Sequence, residues 1–137
     1  GLDKTLKLGN LNSRRDWGYA KDYMEAIWRI LQHHEADDFL VATGDTHSVR
    51  EFVEEVAGHL DMDIVWEGEG LNEVVKNKDG KIILKINKDF YRPNEVNALL
   101  GDSSKAKKVL SWEPTVKFEE LVAMMVKADL ADIQKNK

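Results

Sequence analysis

No cysteine occurs among the 137 residues. That removes disulfide frameworks, thiolate zinc sites and cysteine nucleophiles together, and it fits a reducing compartment. Proline is nearly as scarce, with only Pro93 and Pro114, so most chain breaks must come from glycine and polar turns. Apolar runs stop far short of the ~18 to 20 residues that span a bilayer, and residues 1–12 lack the apolar core of a secretory signal. Cations are outnumbered, 20 Lys and Arg against 25 Asp and Glu, for a formal charge of -5. A protein that tracks nucleic-acid phosphates is normally basic, so nucleic acid is not an expected partner, although a local anion site remains compatible. Motifs are missing too. There is no glycine-rich dinucleotide turn, no P-loop, no zincin helix and no nucleophile elbow. The expectation is a cytoplasmic protein with no membrane partner, no metal and no complete catalytic set.

What is present is one domain's worth of foldable material, 42% hydrophobic and 33% charged, enough for a modest core. Thr5–Leu8 predicts a short strand that ends at Gly9-Asn10. From Ala20 the apolar residues Tyr23, Met24, Ile27, Ile30 and Leu31 recur at three and four, the spacing of one helical face, and predict a helix to about His34. Asp38–Gly44 reads as a buried strand of a parallel sheet. Ser48 and Glu51 stand in capping-box register ahead of a second helix with Val49, Phe52, Val53, Val56, Ala57 and Leu60 on its apolar side. Asp63–Trp66 predicts a strand, and Gly68–Val75 a loop. Asn77–Gly80 predicts a turn, and Lys81–Ile86 a strand placed at a sheet edge by its flanking lysines. Asp102 or Ser103 is expected to cap a short helix over Lys105–Leu110, and Phe118, Leu121, Val122, Met125 and Val126 mark a last helix. Strands alternating with helices argue a small α/β layer, a single domain over residues 1–137 that looks cut from something larger.

The histidines, His33, His34, His47 and His59, sit at helix ends or caps without metal-ligand spacing, and solvated roles are expected for them. Tyr19 and Tyr23 lack the following lysine of a dehydrogenase pair. Chemical potential lies instead in cations beside backbone breaks: Arg14, Arg15, Arg50 and Arg92. A guanidinium fork makes two parallel charge-assisted hydrogen bonds to a phosphate, and helix N-termini add unpaired N–H groups. Arg15 is fixed by Asp16-Trp17-Gly18, and Arg92 by the proline that follows it. Arg14 has no such constraint and reads as a surface charge.

Four ordered blocks carry a resemblance. They are Leu8-Gly9-Asn10-Leu11-Asn12-Ser13-Arg14-Arg15-Asp16-Trp17-Gly18-Tyr19-Ala20-Lys21-Asp22-Tyr23, Ala42-Thr43-Gly44-Asp45-Thr46-His47-Ser48-Val49-Arg50-Glu51-Phe52, Tyr91-Arg92-Pro93-Asn94-Glu95-Val96, and Leu99-Leu100-Gly101-Asp102-Ser103-Ser104-Lys105-Ala106. Together they closely resemble the C-terminal part of the GDP-mannose 4,6-dehydratases, members of the extended short-chain dehydrogenase/reductase group, over essentially the whole chain. The resemblance implies an α/β fold that is the substrate-binding portion of a Rossmann-like enzyme and lacks the N-terminal dinucleotide-binding half. It implies a hydro-lyase of GDP-fucose biosynthesis, homo-oligomeric at full length. That enzyme passes hydride from the mannosyl C4 to NADP, eliminates water across C5 and C6, and returns the hydride to C6 to give GDP-4-keto-6-deoxymannose.

The Tyr-x-x-x-Lys and Thr/Glu pairs that do this in the family lie upstream of Gly1, so no catalytic residue, no NADP binding and no activity are expected of this chain alone. The expected substrate-binding residues are Arg15, Arg92, Glu95, Ser48 and Arg50, with GDP-mannose as ligand and Glu95 as an acceptor for ribose hydroxyls. Three positions depart from the family pattern. Asn87-Lys88 replaces Asp-Pro, Ser111 stands where glycine precedes Trp112, and Lys117 takes a capping position, at a cost of about 1 kcal/mol. The related GDP-4-keto-6-deoxymannose reductases share the Arg-Pro and Gly-Asp-x-Ser-Lys-Ala blocks, and a non-catalytic GDP-sugar-binding module is the third reading. The Ala-Thr-Gly-x-Thr-His-Ser block favours the dehydratase.

Overall fold

A computed structural model describes residues 4–135. The chain is mixed α/β and divides into two compact units. One is built from the residues up to Ser13 together with Ser48–Asn97, the other from Arg14–His47 together with the residues from Ala98 onward.

The first unit contains a four-stranded sheet of β1 (Leu6–Leu8), β4 (Ile64–Glu67), β5 (Val74–Asn77) and β6 (Ile82–Ile86), in the order β1-β6-β5-β4. β1 runs parallel to β6, and the other two pairings are antiparallel. Register sets its two faces. Trp66 lies opposite Val75, Val75 opposite Leu84 and Leu84 opposite Leu6, so one face carries a continuous apolar row that supplies the buried Val75 and Leu84. The other face carries Lys7 opposite Lys85 and Val65 opposite Lys76. These lysines do not mark an edge. β6 is an interior strand between β1 and β5, and its one lysine, Lys85, lies on the face that carries Lys7, so the edge expectation fails. The loop expected over Gly68–Val75 is also shorter than read. A 3-10 turn at Gly70–Asn72 gives way to β5 at Val74, and the Asn77–Gly80 turn closes the β5–β6 hairpin, with Gly80 N donating to Asn77 O at 2.9 Å.

Helix α2 (Val49–His59) starts as its sequence dictates. Ser48 Oγ accepts from Glu51 N at 3.1 Å, and Ser48 N donates to Glu51 Oε2 at 2.6 Å. Two donors left over by the helix end are thereby satisfied, a cap worth about 1 kcal/mol. The helix meets the sheet through Trp66, whose indole N–H donates to Glu54 at 2.9 Å.

The second unit holds α1 (Ala20–Gln32), α3 (Ser104–Leu110) and α4 (Phe118–Lys135), and α1 and α3 meet at a core of Ala26, Ala106 and Trp112, with Tyr23, Phe39, Val41 and Leu110 against it. The buried Asp22 carboxylate accepts from Thr115 N and Oγ1 at 2.9 and 2.7 Å and from Val116 N at 3.2 Å. Its backbone oxygen takes the Trp112 indole N–H at 2.8 Å. Ser111 ends α3 with φ +52°, the left-handed position that glycine occupies without a Cβ penalty and that costs another residue about 1–2 kcal/mol. Arg29 answers there, donating to Leu110 O at 3.1 Å and to Ser111 O. At the start of α3, Asp102 rather than Ser103 supplies the side-chain acceptor, to Ser104 N at 2.9 Å.

Three expectations change in this unit. Asp38–Gly44 belongs to no strand. Phe39 and Val41 pack on the core while Leu40 between them is 53% exposed, the alternation of a strand, but no strand pairs with it among the described residues. The apolar stripe of α1 is only in part its buried side, with Tyr23 packed on the core and Ile30 half-buried. Asp22 and Ala26 are buried, whereas Met24, Ile27, Trp28 and Leu31 are exposed. His47 is not a solvated histidine, since its ring stacks on Phe118 with centroids 3.8 Å apart. Two further short strands, β2 (Arg14–Arg15) and β3 (His47–Ser48), lie where the chain passes between the units.

Candidate functional site

The loop after β1 and the segment after β6 build the site in the first unit. Asn87 N donates to Leu8 O at 2.8 Å, carrying the ladder one step past the strands. Gly9 follows at a point where a Cβ would lie 2.2 Å from Phe90 O, so only glycine lets the two segments approach this closely. Asn10 then grips the backbone of Arg92 from both sides: Asn10 Nδ2 donates to Arg92 O, and Arg92 N donates to Asn10 Oδ1, each at 2.8 Å. This pairing fixes the main chain while leaving the guanidinium outward. The Arg92 side chain is 80% exposed, and its Nη1 lies 3.9 Å from Glu95 Oε2. A weak, solvent-screened pair of this kind surrenders its cation to a doubly charged phosphate at little cost. Glu95 itself is mostly covered, and its N–H donates to Arg92 O at 3.3 Å, closing a turn around Pro93.

Beside this turn lies a pocket of about 230 Å³, lined in part by Asn10, Asn12, Glu73 and Tyr91. Arg50 borders it from α2. Its guanidinium sits 4.2 Å over the Trp66 ring, its Nε donates to Asn12 Oδ1 at 3.4 Å, and its Nη2 pairs with Glu73 Oε1. Arg50 N donates to Leu11 O at 2.9 Å, tying the first turn of α2 to the loop.

The structure therefore brings Arg92 and Glu95 together, sets Ser48 as the cap of α2, and makes Arg50 the centre of a side-chain cluster. Arg15 belongs to the second unit, where its Nη1 donates to Arg14 O at 2.7 Å. Arg14 is tied to Thr46 through Nε to Oγ1 at 3.2 Å and through Nη2 to the backbone oxygen. Asp16 fixes the start of the Thr43-Gly44 turn, accepting from Thr43 N at 2.8 Å, Thr43 Oγ1 at 2.7 Å and Gly44 N at 3.0 Å. Sequence reasoning missed Asn10 and Glu73. The Gly9-Asn10 turn signal was there for the first, but nothing local marks Glu73, whose partner Arg50 is 23 positions away. In chemical terms the first-unit site offers an outward cation, a covered carboxylate and a small polar pocket, which is equipment for holding a ligand.

Residues 1–125 match the sequence model described as GDP-mannose 4,6 dehydratase. The chain belongs to this family. It is 51% identical over 132 residues to a GDP-mannose 4,6 dehydratase of Drosophila melanogaster, covering 96% of this chain and 33% of that protein. It is 52% identical over 137 residues to the GDP-mannose 4,6 dehydratase of Homo sapiens, covering 99% of this chain and 37% of that one. The chain thus spans about a third of the length of the curated relatives it matches. Among solved structures, RMD from Pseudomonas aeruginosa complexed with NADPH superposes with a TM-score of 0.66 at 19% identity, over 90% of this chain and 35% of that one. At that identity the likeness speaks for the fold alone, a mixed α/β part of that larger fold. No helix among the described residues is long and apolar enough to cross a membrane.

Proposed function

We propose that this chain is the part of a cytoplasmic, homo-oligomeric GDP-mannose 4,6-dehydratase that holds GDP-mannose. In this reading Arg92 meets the diphosphate, Glu95 accepts from ribose hydroxyls, and Ser48 and Arg50 shape the site from the start of α2. The reaction class is dehydration of GDP-mannose to GDP-4-keto-6-deoxymannose on the way to GDP-fucose. The observation that carries it is the two-point grip of Asn10 on the Arg92 backbone, which presents an exposed guanidinium beside a polar pocket. Membership of the dehydratase family, rather than of the reductases, supports the choice of substrate.

The residues present do not fit NADP. A dinucleotide site needs a glycine turn that leaves helix N–H groups open to a pyrophosphate, and at the head of α2 the Ser48–Glu51 box already occupies those groups. The nicotinamide cofactor of the family is assigned to the part of the enzyme outside this sequence, and the chain's own contribution is to bind and orient the nucleotide. Titrating GDP-mannose into the purified chain tests this. Saturable binding that GDP competes away, with no NADP binding and no turnover, is expected. Turnover by this chain, or GDP-mannose binding that GDP cannot displace, contradicts it.

A further inference from the structure

The pocket beside Arg92 has a polarity that Arg50 imposes. A guanidinium can only donate, so the Asn12 amide must turn its oxygen to Arg50, leaving its NH2 group as the end that donates elsewhere. Glu73 is mostly covered, with a side chain 12% exposed, and gives Oε1 to Arg50. An ionised carboxylate has about four acceptor positions, and Arg50 fills one, so acceptor capacity remains on a side chain that lines the pocket. The cluster is rigid because the guanidinium is also stacked on Trp66. The pocket therefore carries a fixed donor at Asn12 and a fixed anionic acceptor at Glu73, with the Tyr91 ring at its wall and about 230 Å³ of space, the scale of a base and not of a whole nucleotide. Tyr91 is next in sequence to Arg92, and Asn10 both lines the pocket and grips Arg92, so a base there is continuous with a diphosphate at Arg92.

Resting on the nucleoside-diphosphate reading above, we infer that Glu73 is the residue that selects guanine, accepting from N1–H and the 2-amino group while Asn12 donates to O6. Guanine alone among the common bases presents two adjacent donors next to a carbonyl on its pairing edge, and a base held out of a stack is read along that edge. Adenine offers one donor and an acceptor, and a carboxylate repels the acceptor. Arg50 is a positioning residue in this account: it touches no ligand but sets Glu73 and Asn12.

Calorimetric titration of the chain with GDP and with inosine diphosphate, which differs only by the missing 2-amino group, tests the inference. The wild-type chain is expected to bind GDP about ten- to a hundredfold more tightly than inosine diphosphate, the worth of one hydrogen bond to a charged group. Glu73→Gln is expected to bring that ratio close to one, because the bond to the 2-amino group is lost only from GDP while both nucleotides alike lose the charged acceptor of N1–H. Arg50→Lys, which keeps the charge but not the fork, is expected to lower the ratio as well. Circular dichroism establishes folding, and if Glu73→Gln does not fold, Glu73→Asp, which keeps the ion pair but withdraws the carboxylate, is expected to reduce the ratio in its place. Arg92→Ala separates the two readings by weakening both ligands alike without changing their ratio. A ratio near one in the wild-type chain, a ratio unchanged by Glu73→Gln or Glu73→Asp, or no binding of either nucleotide overturns the assignment of Glu73. A silent Arg92→Ala with the ratio intact overturns the diphosphate reading and leaves Glu73 standing.

Discussion

Helices α1 and α2 look alike in sequence and end differently. Each has apolar residues at three- and four-residue spacing, and each follows a turn. On α2, Val49, Phe52, Val53 and Val56 are covered to at least half-burial and Ala57 is buried. On α1, Met24, Ile27 and Leu31 of the stripe, with Trp28 beside them, remain 46–75% exposed, while the side that packs is built from Asp22, Tyr23 and Ala26. Periodicity reports that a helix has an apolar face, and it is silent on whether the cover for that face belongs to the same stretch of chain. An exposed apolar patch of this kind marks an interaction surface, and about two-thirds of the relatives' length lies outside the part that this chain matches.

The largest effect that separates the two units is expected in the core of the second. Trp112→Ala removes a 2%-exposed indole and its bond to Asp22 O, and should cost about 3–5 kcal/mol in urea denaturation. A loss under about 1 kcal/mol would mean that the α1 side of the molecule is not held where the structure shows it. Asp22→Ala should follow at about 2–3 kcal/mol, because three donors on Thr115 and Val116 lose a charged acceptor. On α2, Ser48→Ala should cost about 1 kcal/mol. The matching change on α1 has no cap to remove, since Tyr19 makes no side-chain cap bond. Leu31→Lys on the exposed stripe should shift stability by less than about 0.5 kcal/mol yet reduce self-association in sedimentation velocity. A large loss of stability there would show that the stripe is already covered.

The smallest effect is electrostatic. The hydrogen bond from Lys105 holds the Asp37 carboxyl below the usual aspartate range, and Lys107 does the same for Glu113. Groups whose folded pKa is depressed stabilise above the unfolded pKa and lose that contribution as pH falls through the folded value. Acid titration of Asp37→Asn should therefore show a slightly shallower loss of stability below the ordinary carboxylate range, and an unchanged profile would show that the exposed pair contributes nothing.

The elements that could be read from sequence are those whose determinants are local. The Ser48–Glu51 box and the Asn77–Gly80 turn each depend on neighbours within a few residues, and the structure has both. The errors come from long-range choices. Lys81–Ile86 looked like an edge because flanking lysines can equally line one polar face of an interior strand. Asp38–Gly44 looked like a buried strand because its composition is that of one, and composition carries no information about a partner. In the site, Arg92 stood out through Pro93, whereas Asn10 gains its role only by meeting a segment 82 residues later. Glu73 lay in a stretch read as loop, and no local pattern shows that Arg50 will hold it.

GDP affinity of Arg92→Ala against Arg14→Ala, measured by calorimetry at fixed ionic strength with circular dichroism as the folding control, tests the central claim most directly. Arg92 presents its guanidinium outward on a clamped backbone, whereas Arg14 spends its own on Thr46. Arg92→Ala should weaken GDP about ten- to a hundredfold, the loss of one charge-assisted bond worth roughly 1.5–3 kcal/mol. Arg14→Ala should leave affinity within about threefold of the parent chain, because its half-buried guanidinium is already committed to Thr46. Small and equal effects at both positions would contradict the account.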